Sequence, residues 1–149
     1  MIFMTTKNEQ LNEKYILYQI LAQNLEALKQ QLELVEEQII EIKISLASIN
    51  DLKEIKEENE ILIPLGSGCF GKGKITEKSH FLVNIGSGIF VYKDLENAKT
   101  FLEERFKEIE NAGKEIEGQA KKIAVHMNEL SEEIQNLASE IASKNKVRR

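Results

Sequence analysis

The feature that most constrains the fold is a short pattern written twice in the middle of the chain. Leu62-Ile-Pro-Leu-Gly-Ser-Gly-Cys-Phe70 returns as Leu82-Val-Asn-Ile-Gly-Ser-Gly-Ile-Phe90, with Leu, Gly, Ser, Gly and Phe at matching places. Each copy is a short apolar run, a Gly-Ser-Gly break and a second apolar run. Runs of this length bounded by glycine read as strands, and Gly-Ser-Gly offers the positive-φ positions of a tight turn. The spacing predicts two tandem β-hairpins. The first pairs Ile61–Leu65 with Cys69–Ile75, the second pairs Phe81–Ile85 with Ile89–Tyr92, and Thr76–His80 joins them. All glycines except Gly113 and Gly118, and the one proline, Pro64, fall in this stretch. Proline lacks a ladder donor, so its strand is expected at an edge or bulge there.

Both flanks carry a helical pattern. On the N-terminal side the 3-4 spacing runs through Leu11, Lys14, Tyr18, Leu21, Leu25, Leu28, Leu32, Val35, Ile39, Ile42, Leu46 and Ile49, all apolar but Lys14. A stripe sustained over this many heptads is the signature of a coiled coil. Thr5 or Thr6 is the expected N-cap, with Glu9 completing a capping box on Thr6, and the helix is expected to end between Asn50 and Asn59. On the C-terminal side Asp94 is the expected N-cap. The stripe then resumes through Leu95, Lys99, Leu102, Phe106, Ile109, Gly113, Ile116, Ala120, Ile123, Met127, Leu130, Ile134, Leu137 and Ile141. Ala98 and Phe101 widen the apolar face where this arm is expected to pack on the strands. Gly113 and Gly118 each cost about 1 kcal/mol against alanine and mark a soft point. Lys144, Lys146, Arg148 and Arg149 suit the negative end of a helix dipole.

The expected fold class is therefore α+β: a long antiparallel coiled coil with two tandem hairpins at its base. Its segments are an N-terminal coiled-coil helix over 1–55, the hairpins over 56–93 and a C-terminal coiled-coil helix over 94–149. Two isolated hairpins are marginal in water, and open strand edges call for cover. The strands are thus expected to pair with other subunits in an oligomeric β-barrel, through Ile61, Ile63, Leu65, Phe70, Phe81, Val83, Ile85 and Phe90. At the far end, where both termini meet, Tyr15, Ile16, Leu17 and Ile20 are apolar residues beyond what the seam needs, preceded by Met1-Ile-Phe-Met4. Surplus apolar surface there, beside Leu137 and Ile141, reads either as a local oligomer contact or frayed terminus, or as a binding surface, and methionine suits contacts that must adapt.

Composition narrows the function classes. A formal net charge of −5 and a pI near 5.2 argue against a nucleic-acid footprint. The single cysteine, Cys69, allows no internal disulfide and fits a reducing, cytoplasmic setting. Met1-Ile-Phe-Met4 is too short for the apolar core of a signal peptide, and the longest uncharged run, Ser79–Tyr92, is too short and too glycine-rich to span a bilayer as a helix. Gly66-Ser-Gly68-Cys-Phe-Gly71 matches G-x-G-x-x-G, but a dinucleotide site needs that motif to open a helix, and Lys72-Gly-Lys-Ile75 follows with no helical period. Cys69 has no base beside it, and His80 and His126 lie far from it and from each other. No catalytic residues, metal or cofactor are expected, and the chain reads as a non-enzyme.

The order helix, two hairpins, helix resembles the prefoldin α-subunit family. Ile63-Pro-Leu-Gly-Ser-Gly-Cys-Phe-Gly-Lys-Gly73, Val83-Asn-Ile-Gly-Ser-Gly-Ile-Phe-Val-Tyr92 and Leu95-Glu-Asn-Ala-Lys-Thr-Phe-Leu-Glu-Glu-Arg105 carry the resemblance. The resemblance implies an ATP-independent co-chaperone in a hexamer of two α-type and four β-type subunits, joined by barrels. Apolar coiled-coil tips would hold unfolded client proteins and pass them to a group II chaperonin, with no nucleic acid or membrane among the partners. A structural coiled-coil scaffold with one fixed partner is the alternative that the same seam and strands allow.

Overall fold

The computed structural model describes the backbone of residues 2–147 and the side chains of 6–146. The order of elements is α1 (Ile2–Glu54), β1 (Ile61–Gly66), β2 (Cys69–Gly73), β3 (His80–Gly86), β4 (Ile89–Asp94) and α2 (Leu95–Val147). Each helix has 53 residues. The α+β class and the two tandem hairpins are as the pattern requires.

Both hairpins turn in the same way. Gly66 pairs with Cys69, and Gly86 pairs with Ile89, which leaves two-residue loops. The central residues Ser67 and Gly68, and Ser87 and Gly88, all have positive φ. This is the sense of turn that matches strand twist. Serine at φ 49° and 50° is a non-glycine residue in the left-handed region, a placement that costs roughly 1 kcal/mol. Each β1 or β3 strand bulges just before its turn, after Pro64 and after Asn84. Proline thus sits beside a bulge, where a lost donor is tolerated. At the second bulge the Asn84 side chain accepts the Gly86 N–H at 2.9 Å.

The helices start and stop for local reasons. Asp94 caps α2: its Oδ1 accepts the Asn97 N–H at 2.8 Å, and its Oδ2 accepts from the Asn97 side chain at 2.9 Å. α1 ends at Glu54, before Glu57 and Glu58. Its start differs from expectation. The helix already includes Ile2–Met4, so Thr6 and Glu9 lie inside it and form no capping box at its start. A cap residue ends a helix only where the residues before it cannot continue it, and nothing in Ile2-Phe-Met4 breaks helix. Met1, Arg148 and Arg149, and the side chains of Ile2, Phe3, Met4, Val147 and the candidate cap Thr5, lie outside the described residues.

The chain divides into two compact units. The first joins the part of α1 up to Glu36 with α2 from Asn111 onward; the second is Glu37–Glu110. In the first, the helices run antiparallel: Lys7 pairs with Glu140 and Lys14 with Glu133. Lys14, the polar residue on the stripe, thus finds its partner across the seam. Leu130 and Ile134 are buried. Gly113 is also buried, and a Cβ added there would come within 3.0 Å of Val35 Cγ1. It is a close-approach glycine and not a soft point. Gly118 faces open space.

The second unit contains the hairpins. Ile42, Ile49 and Ala98 form its buried core, with Ala98 wholly covered. Lys53 pairs with Glu96 at 3.3 Å. Lys43 lies over the Phe106 ring at 5.7 Å, and Lys93 of β4 over Phe101 at 5.6 Å. The two sheets are two-stranded and separate. Neither helix is long and apolar enough, among the described residues, to cross a membrane.

Candidate functional surfaces

Every stripe position named from the sequence, on either helix, is buried or half-buried. What remains exposed on α1 is therefore surplus to the seam. Tyr15, Ile16, Leu17 and Ile20 are 48 %, 50 %, 39 % and 47 % exposed. Ile20 adjoins Leu17 and Ile16 through helical i+3 and i+4 steps, while Tyr15 stands on the other flank of the seam. Leu137 and Ile141 are placed differently: both are half-buried on the α2 seam face. Leu137 lines a shallow groove with Gln10, Lys14, Glu133 and Glu140.

Charge pairs frame this end of the first unit. The Lys7 ammonium hydrogen-bonds Glu140 and holds that carboxyl below its ordinary range, while Lys7 itself is raised. Glu133 is lowered in the same way by the hydrogen bond from Lys14. Such pairs, open to water, orient side chains more than they stabilise the fold.

The hairpins expose apolar surface unequally. In β3–β4, Phe81↔Lys93 and Val83↔Val91 share one face, and Leu82↔Tyr92 and Asn84↔Phe90 share the other. Phe81 and Val83 are half-buried and line a hollow of about 420 Å³ with Ile42, Ile49, Phe101 and Leu102. Ile85 is exposed and borders a second hollow beside Phe101. The opposite face, with Leu82, Phe90 and Tyr92, is bare. In β1–β2 only Ile61 among the apolar strand residues is half-buried; Leu62, Ile63, Leu65 and Phe70 are exposed. Gly71 and Gly73 lack side chains, so Leu65 and Ile63 lie across β2 in contact with them.

Sequence reasoning named Phe81 and Val83 but passed over Leu62, Leu82, Ile89, Val91 and Tyr92. Alternation within the strands signals two faces; only the helices' position says which is covered. It also passed over Leu34, Ile40 and Ile44 of α1, which are apolar but off the 3-4 stripe. Cys69 is exposed. Among the described residues, no three His, Cys, Asp or Glu side chains are grouped to hold a metal ion.

A model of the prefoldin subunit family matches residues 21–140. The chain belongs to the prefoldin family. Prefoldin subunit alpha of Pyrococcus horikoshii is 37 % identical over 110 residues, covering 73 % of this chain and 74 % of the relative. Prefoldin subunit alpha of Thermococcus onnurineus is 37 % identical over 106 residues, covering 70 % and 72 %. A filamentous prefoldin from Methanocaldococcus jannaschii, solved by cryo-electron microscopy, superposes with a TM-score of 0.67. It covers 82 % of this chain and 98 % of its own, at 22 % identity, and shows the fold. Prefoldins are a chaperone family and not an enzyme family, so the chain is a prefoldin chaperone subunit. Its α-subunit relatives imply assembly with other prefoldin subunits.

Proposed function

We propose that this subunit captures unfolded polypeptides, without ATP, on the exposed apolar side chains Tyr15, Ile16, Leu17 and Ile20, and passes them to a group II chaperonin in the cytoplasm. The observation that carries the reading is the exposure of these four residues on a helix whose stripe residues are all buried or half-buried. A receptor for many sequences needs apolar surface that adapts, with no single shaped pocket. Leu137 and Ile141, half-buried on the facing helix, add the part of their surface that the seam leaves open. Delivery to a chaperonin is supported by family membership alone. Assembly is proposed as two copies of this chain with four β-type prefoldin subunits. The contacts are the strand surfaces of Ile61, Ile63, Leu65, Phe70 and Phe90, with Phe81, Val83 and Ile85 supporting them from the helix side.

The test uses the assembled complex. Changing Ile16, Leu17 and Ile20 to Ser removes exposed apolar area and leaves the seam residues Tyr18, Leu21 and Leu25. At about 25 cal/mol per Å² these contacts supply a few kcal/mol to a client, part of which goes to ordering it. Native mass spectrometry is expected to show unchanged assembly, and suppression of aggregation of two unrelated denatured proteins is expected to fall. Full protection of both by a normally assembled variant would overturn the reading and favour a scaffold with one fixed partner.

A further inference from the structure

Helix α1 carries a second, shorter stripe. In the second unit Ile40, Ile44 and Ala47 follow one another at the same 3-4 spacing as the seam, on the side of the helix away from Ile42, Leu46 and Ile49. All three are exposed, the isoleucines by 57 % and 61 %. The side of a surface helix opposite its seam is ordinarily polar. Here the 3-4 spacing continues into a carboxylate at either end, Glu37 before Ile40 and Asp51 after Ala47. The stripe from Glu37 to Asp51 is about 20 Å long by helix rise.

The charge around the stripe has one sign. Glu37, Glu41, Asp51 and Glu54 border it, all exposed. None of the four carboxylates has an ion-pair partner among the described residues. The lysines of this part of α1 are engaged elsewhere, Lys43 over the Phe106 ring and Lys53 with Glu96. Anything that covers the isoleucines also takes water from these carboxylates, which is costly unless the partner brings cations to them. A 3-4 stripe is matched by another helix, whose own side chains recur at the same spacing. Ala47, the smallest side chain on the stripe, lets such a helix approach closely.

We propose that this outer face of α1 binds a cationic amphipathic helix in a client chain. Apolar side chains at i, i+4 and i+7 of the client lie on Ile40, Ile44 and Ala47, and lysine or arginine beside them meets Glu37, Glu41, Asp51 and Glu54. The proposal rests on the reading of this subunit as a receptor for client chains and adds to it a second site with its own client class. The Tyr15, Ile16, Leu17 and Ile20 surface asks only for apolar side chains; the outer face asks for basic charge and a helix already formed.

The test uses the assembled complex and two labelled four-turn peptides with the same leucine stripe, one flanked by lysine and the other by glutamate, read by fluorescence anisotropy. The lysine peptide is expected to bind at least about tenfold more tightly than the glutamate peptide, with the difference shrinking as salt rises. Ile40→Ala with Ile44→Ala is expected to weaken lysine-peptide binding at least about tenfold. Alanine is the best helix former and the positions are exposed, so α1 is retained; circular dichroism and native mass spectrometry check this. Glu37→Gln with Asp51→Asn is expected to weaken the same binding at low salt and less so at high salt. The Ile16→Ser, Leu17→Ser, Ile20→Ser variant is expected to keep lysine-peptide binding, so failure of the Tyr15–Ile20 surface as a client site is read separately from failure of this one. Equal affinity for the two peptides, parental binding of the lysine peptide by the Ile40→Ala, Ile44→Ala variant, or loss of that binding in the Ile16→Ser, Leu17→Ser, Ile20→Ser variant overturns the proposal.

Discussion

The two glycines of α2 make a matched experiment in packing. Both lie within the helix, and neither has positive φ. Alanine at either site gains the same helix propensity, about 1 kcal/mol. At Gly118 a Cβ meets nothing within 4 Å, so that gain is realised in full. For a domain of 149 residues it raises Tm by about 3 °C. At Gly113 the same Cβ lands 3.0 Å from Val35 Cγ1, at a buried position. Valine in a helix has one strongly favoured rotamer, so it cannot swing aside. The helices must move apart or the contact stays compressed, an overpacking cost of about 1–3 kcal/mol. Gly113→Ala is therefore expected to be neutral to destabilising, about 1–3 kcal/mol below Gly118→Ala. Because propensity cancels between the variants, the difference reads packing directly. Adding Val35→Ala to Gly113→Ala frees the space, and the pair is expected to couple favourably by about 1 kcal/mol. Urea unfolding of the parent, Gly113→Ala, Gly118→Ala, Val35→Ala and the double variant under identical conditions measures all of this. Equal stabilisation by Gly113→Ala and Gly118→Ala, with no coupling to Val35, would refute the reasoning.

Other outcomes follow from particular contacts. Leu82→Lys with Tyr92→Lys alters the bare face of β3–β4 and leaves Phe81 and Val83 on the helices; native mass spectrometry is expected to show smaller assemblies, and an unchanged mass would count against hairpin-mediated assembly. Asp94→Ala removes the acceptor for the Asn97 N–H and is expected to cost about 1 kcal/mol, visible as faster hydrogen exchange in the first turn of α2. The pairs Lys7–Glu140 and Lys14–Glu133 set a pH window. Glu133 and Glu140 are lowered in the folded state, so their contribution is present above the ordinary carboxyl value of 4.5 and is lost as pH falls through the lowered folded pKa. Lys7 is raised, so its contribution is present below 10.5 and is lost as pH rises through the raised folded pKa. Hydrogen exchange, corrected for its intrinsic pH dependence, is expected to show these helix ends opening on either side of that window and steady within it.

The sequence alone determined what local chemistry can determine. A 3-4 stripe broken only by lysine and glycine leaves no alternative to two long helices, because any other conformation scatters those side chains over every face. Gly-Ser-Gly between apolar runs makes a two-residue turn, since positive φ is open there and the neighbours favour strand. Asp94 before Leu95 marks a helix start because a carboxylate satisfies an orphan N–H. Thr6 and Glu9 misled for the same kind of reason: a cap signal reports what a helix end would like, and the preceding residues did not supply a break. The tertiary structure decided the rest. Whether Gly113 is a weak point or a tight contact depends on Val35, far away in sequence. Leu82 and Val83 have equal claims to a sheet face until α1 and α2 cover one side. Ile40 and Ile42 are the same residue type, yet one is exposed and one buried, because burial is set by where a second helix lies and not by the side chain itself.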